Sequence, residues 1–322
     1  MRFWGIDPDL DRPRLQAMRA APPALAKDSG ARRRVFGAAL GQWDALLAAS
    51  ASVVPAASPI LLFYALSQAG RAVCAAHTSG QPWQSRGHGL SIGNLGKPLG
   101  ETLVRPEGGS DSSFAMFCKA LKASPLSEST TLGALWAANM KLESVEGLGL
   151  GMPGALELSV IAPSYMGGPS LHAQLGGDLA ANLPADSAAA AAEVGERLHE
   201  YPGAATGLVV NTQGTSITPQ GTEPRVEISW RDSNGKPVPI DQIAPDEGNF
   251  LRPQLNQAGD TLPALALWWA TLLTLSSLAR YHPEQWNDAL DRDKAVTAVP
   301  IEEALNIGRE MLPWLLITAL SQ

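Results

Sequence analysis

Apolar residues three and four apart dominate Ser58–His77, SPILLFYALSQAGRAVCAAH, where Ile60, Phe63, Tyr64, Ser67 and Arg71 keep helical spacing. Leu61, Leu62 and Leu66 fill the neighbouring face, so the pattern predicts a broadly apolar helix at the centre of its domain. Ser58 is placed to act as N-cap, with Pro59 at the first helical position. Gly70 in mid-helix costs about 1 kcal/mol against alanine, which predicts that another backbone passes close by.

The same periodicity predicts helices over Gly30–Ser50, with Val35, Leu40, Trp43, Leu46 and Leu47 on its apolar face, over Ser113–Ala123 and over Thr131–Leu142. Three more are expected over Thr261–Tyr281, Pro283–Leu290 and Pro300–Leu320, the last kinked at Pro313. The pattern changes between residues 150 and 250. Ala155–Pro163, Gly207–Thr212 and Arg225–Arg231 read as strands, the last alternating strictly at Val226, Ile228 and Trp230. Among them lies an alanine-rich helix, Asp186–His199, capped by Asp186 or Ser187, and Ser233-Asn234-Gly235 marks a turn. Glu101–Pro106 is a short strand candidate, and Thr78–Gly100 reads as glycine-rich loop.

These elements predict an α+β protein, mainly α: a helical bundle framework with a small β-containing subdomain. Residues 1–30 are expected to form an N-terminal surface arm. Residues 31–149 with 251–322 form the helical core domain, and residues 150–250 an inserted sheet with one helix.

Composition narrows the function classes. The chain has 322 residues, 45% of them hydrophobic, and a formal net charge of −7. That balance opposes a protein that coats nucleic acid by neutralising phosphates, though it leaves room for a local basic groove. Arg32-Arg33-Arg34 opens the second predicted helix, at the wrong end for that helix's own dipole. It reads as a solvated face or as a contact for phosphate or an acidic partner. Cys74 and Cys118 are expected to be buried, unpaired thiols, and without a signal-peptide pattern the expected location is cytoplasmic. Thr261–Ala279 carries no charge over nineteen residues, close to a bilayer span. Its threonines, serines and leading proline favour a buried core helix, and no membrane association is expected.

No CxxC, HExxH, P-loop, GxGxxG or GxSxG motif occurs, so neither a metal nor a cofactor is implied. Glu302-Glu303 and Asp291/Asp293 read as solvated charges. Three groups of residues remain as candidate chemistry. Arg71 and His77 stand six apart on one predicted helix, about 9 Å along the axis and roughly 120° apart around it. The spacing matches the loose R-x4–6-H signature of HEPN ribonucleases, in which such a pair would be catalytic, the histidine assisting 2′-hydroxyl attack and the arginine steadying phosphate. It equally describes an arginine paired within the bundle and a histidine at a helix C-terminus. His88, with Gly89, sits between glycines that let a backbone approach a ligand, or it is a hydrogen-bonded turn residue. Arg280, Tyr281, His282 and Trp286 gather a planar cation, aromatic surfaces and a titratable ring at one helix junction. They would stack a base or nucleotide, or cap and pack that junction.

The block PILLFYALSQAGRA followed by HGLS, and LLTLSSLARYHPEQW followed by a Pro300-led helix, resemble the YaaC-like proteins of bacteria across residues 35 to 320. The resemblance implies a helical cytosolic protein, sometimes in phage-defence settings, with no established reaction. On this reading the chain is a non-enzymatic interaction or accessory component with a protein partner or a second copy of itself. The alternative is a HEPN-like, metal-independent ribonuclease or toxin acting through Arg71 and His77, and RNA or a nucleotide is then the partner. A last expectation is geometric: Arg71 and Arg280 lie on packed neighbouring helices and converge, beside His88, on one polar pocket or on buried acids.

Overall fold

The computed structural model describes residues 8–84, 87–139, 141–142, 148, 151–160, 171–173, 183–184, 186–201, 208–211, 226–236, 238 and 250–322. The chain divides into two compact units, residues 1–152 with 255–322 and residues 153–254. The fold is mainly α with small antiparallel sheets.

The first unit is built on α1 (Pro8–Ala20), α2 (Gly30–Ser50), α3 (Ser58–His77), α4 (Ser113–Ala120), α5 (Leu132–Ala138), α7 (Ala264–Tyr281), α8 (Pro283–Leu290) and α9 (Ala298–Leu320). α3 lies at its centre, packed on α2, α4, α7 and α9. Fifteen successive residues of α7, Ala264–Leu278, are buried, so its uncharged run is core. Among the described residues α3 is the helix whose length and composition would suit a bilayer span, and 67% of that window is buried within the protein.

Two adjacent tryptophans of α7 set its spacing from its neighbours. A Cβ on Gly70 of α3 would lie 2.5 Å from Trp269 Cζ3, and one on Gly308 of α9 would lie 3.0 Å from Trp268 Cζ3. The expectation of a backbone at Gly70 is therefore corrected: an indole ring fills that notch. Phe63, Phe114 and Phe117 surround Trp269 at centroid distances of 5.8, 6.5 and 4.9 Å. Such aromatic pairs contribute about 0.5–1.5 kcal/mol each beyond the area they bury.

Within the N-terminal segment the chain is helical from Pro8. Residues 8–20 are helical, with Asp11 and Leu15 buried and Arg12 donating to Asp44 at 2.6 and 2.9 Å. A single buried leucine, Leu15, gives too weak a periodicity to show this helix in the sequence. Ser58 is not the N-cap of α3. Ala57 holds that position, and Ser58 Oγ donates to Ser50 O and accepts from Arg309 Nη1.

Arg32, expected in the solvated triplet, is buried. It donates to Ala75 O, Thr78 O and Gly80 O at 2.8, 2.8 and 3.3 Å. The dipole it complements belongs to α3, whose C-terminal end lies beside the start of α2. Part of the predicted loop is a strand: β1 (Leu90–Gly93) pairs antiparallel with β2 (Leu103–Pro106), and β2 with β3 (Thr130–Thr131). Only Leu90 of β1 is buried, so alternation gives no signal for the strand.

The second unit carries the antiparallel order β6-β7-β5-β4-β8: β6 (Leu208–Asn211), β7 (Val226–Trp230), β5 (Leu171–Ala173), β4 (Leu156–Val160) and β8 (Phe250–Leu251). Its helix α6 (Ser187–Arg197) is capped by Asp186 Oδ1, which accepts from Ala188 N and Ala189 N. Trp230 and Val194 are buried, and Tyr201 Oη donates to Gly154 O at 2.6 Å.

Candidate functional site

The end of α7 meets the first half of α3 at a cation held between rings. Arg280 Nη1 donates to Tyr64 Oη at 2.9 Å and its Nε donates to Ser276 O at 3.2 Å. The guanidinium carbon lies 5.5 Å from the Tyr64 ring centroid and 4.8 Å from that of Tyr281. Tyr281 is 66% exposed. Among the described residues no carboxylate pairs with Arg280.

His88 is brought to the same place by a fixed loop. Phe114 N donates to His88 O at 3.2 Å and Glu107 N to Gly89 O at 3.0 Å. Gly89 has φ +88°, and a Cβ there would lie 2.8 Å from Phe114 N and 2.7 Å from Ser112 Oγ. Only glycine fits both the left-handed backbone and the close approach. The His88 ring then stands edge-on to Phe63 at 5.4 Å. Burial, and then the Arg280 charge, push its pKa below the ordinary 6.5.

The other candidates lie elsewhere. Trp286 is buried and its Nε1 donates to Ala56 O at 2.8 Å, so it packs the junction. His282 joins α7 to α8 and its carbonyl accepts from Trp286 N. Arg71 is exposed and lines a recess with Val35, Cys74, Trp83 and Gln84. The expected convergence of Arg71 with Arg280 and His88 is thus corrected: α3 and α7 are packed neighbours, but Arg71 lies two turns further along α3 and opens onto α2. His77 sits at the end of α3 near Lys122 and the carbonyls of Ala319 and Leu320. Those carbonyls favour the protonated ring, yet Nε2 completes no hydrogen bond. Burial first, and then Lys122, lower its pKa.

A family profile described as YaaC-like protein matches residues 16–320. The chain belongs to the YaaC-like family. No curated protein and no solved structure matches it.

In this YaaC-like protein the Arg280–Tyr64 hydrogen bond ties the two sequence blocks together across 216 residues. At neutral pH the patch presents one fixed cation, Arg280, beside a neutral imidazole that can donate and accept. No group of three or more His, Cys, Asp or Glu gathers among the described residues. Sequence reasoning missed Tyr64 and Phe63 because their spacing marks them as ordinary helix-face residues. The one available signal was Tyr64, a polar-tipped aromatic within an otherwise aliphatic stripe.

Proposed function

We propose that this YaaC-like protein is a cytosolic accessory component that docks an acidic segment of a protein partner on the Arg280–Tyr281–His88 patch. The observation that carries this reading is the Arg280 guanidinium, stacked on two tyrosine rings and lacking a carboxylate among the described residues. Tyrosine and arginine are the residue types that dominate binding energy at protein interfaces. The Tyr64 hydroxyl and the two rings fix the guanidinium in advance, so less side-chain entropy is lost when a carboxylate arrives. His88 adds a neutral donor at the rim, and its protonation in mild acid would increase the attraction for carboxylates.

A photo-crosslinking residue in place of exposed Tyr281, in the full chain expressed in its own host, tests the reading. The expected result is one protein adduct that disappears with Arg280→Glu and weakens at high salt. Adducts with RNA, or none that depends on Arg280, overturn it. Sedimentation at micromolar concentration separates a second copy of the chain from a different partner.

A further inference from the structure

Away from that patch, the recess beside Arg71 has the composition of a small-molecule site. Its volume is about 250 Å3, and among the described residues it is lined by Val35, Arg71, Cys74, Trp83 and Gln84. Ligand sites are mostly apolar with a few placed polar groups. Here Val35, Cys74 and Trp83 supply the apolar wall, and Arg71 and Gln84 the polar groups.

Two observations separate this recess from an incidental crevice. Arg71 makes no ion pair and no hydrogen bond among the described residues, although it rises from the most packed helix of the unit. Trp83, in turn, is fixed from behind. The buried Arg32 guanidinium lies 4.9 Å from its ring centroid and is itself held by three carbonyls at the end of α3. The recess therefore joins a held aromatic ring to a planar cation with no partner among the described residues, in a volume of about 250 Å3. Cys74 is 2% exposed and burial pushes its thiol up to about 11, so it stays neutral and contributes polarisable surface rather than charge.

We propose that this recess binds a small planar organic acid, its ring against Trp83 and its carboxylate paired with Arg71. Arg71 receives the two carboxylate oxygens through its forked N–H groups, Gln84 donates from its amide at the mouth, and the ring replaces water over Trp83, Val35 and Cys74. The size of the recess limits the acid to one or two fused rings. The site is independent of the Arg280 patch and stands or falls without it.

Isothermal titration of the full chain with benzoate, indole-3-carboxylate, benzamide and acetate tests the assignment. At least one aromatic acid is expected to bind below millimolar Kd, with benzamide and acetate at least tenfold weaker. Arg71→Gln is expected to abolish acid binding, Arg71→Lys to weaken it several-fold, and Arg105→Gln, an exposed arginine elsewhere, to leave it unchanged. Because Arg71 is exposed, these variants keep the fold, which circular dichroism verifies. The site does not exist if no aromatic acid binds, if benzamide binds as well as benzoate, or if the Arg71 and Arg105 variants behave alike.

Discussion

Gly70 and Trp269 are complementary: a single methyl group on Gly70 would come within 2.5 Å of the Trp269 ring. The contact holds α3 against α7 and so places Tyr64 opposite Arg280. A glycine in a helix interior gives up about 1 kcal/mol of propensity against alanine, and the close approach of an indole more than recovers it.

Gly70→Ala is therefore expected to destabilise the protein despite its better propensity. Overpacking costs about 1–3 kcal/mol, which exceeds the propensity gain of about 1 kcal/mol. Gly37→Ala, at a helix position with nothing within 4 Å, is expected to stabilise by about 0.5–1 kcal/mol. Urea unfolding of the two variants checks the opposite signs, and a stabilised Gly70→Ala would refute the packing argument.

Arg32→Leu is expected to cost about 2–4 kcal/mol, because the buried carbonyls of Ala75, Thr78 and Gly80 lose a charged donor together. Arg32→Lys should recover only part of this, since an ammonium cannot span all three. Exposed Arg34→Leu should change stability by less than about 0.5 kcal/mol. Equal effects at positions 32 and 34 would mean that Arg32 caps nothing.

His77 and His88 both have pKa values lowered by burial in the folded protein. The unfolded chain then binds more protons than the folded one just below the ordinary value of 6.5. Their contribution to stability is complete above that value and is lost as pH falls through it toward the lowered folded values. Denaturation midpoints should drop between pH 7 and pH 5, and the drop should shrink in His77→Gln. An unchanged pH slope in that variant would contradict the burial of the ring.

Wild type, Arg71→Ala and His77→Ala are expected to give the same host growth and the same RNA integrity on expression. His77 Nε2 is buried beside α9, whereas Arg71 is exposed and lines the recess with Trp83. RNA decay that vanishes in either variant, measured on total RNA, would instead favour the ribonuclease reading.

The central helix, the buried run of α7, the Pro283–Leu290 helix and the strands Leu156–Val160 and Val226–Trp230 were legible because each repeats its periodicity or sits between clear stop signals. So was the family, through the two ordered blocks around Tyr64 and Arg280. What local pattern could not decide was which end of one helix meets which end of another. Arg32 looks misplaced on α2 and is explained only by the carbonyls at the end of α3. Arg71 and Tyr64 lie seven residues apart on nearly the same face of α3, yet packing gives Tyr64 to Arg280 and leaves Arg71 at the recess beside α2. Helical spacing fixes the direction of a side chain around its own axis. The partner it meets depends on how neighbouring helices stack along that axis, and here two tryptophans seated on two glycines set that stacking.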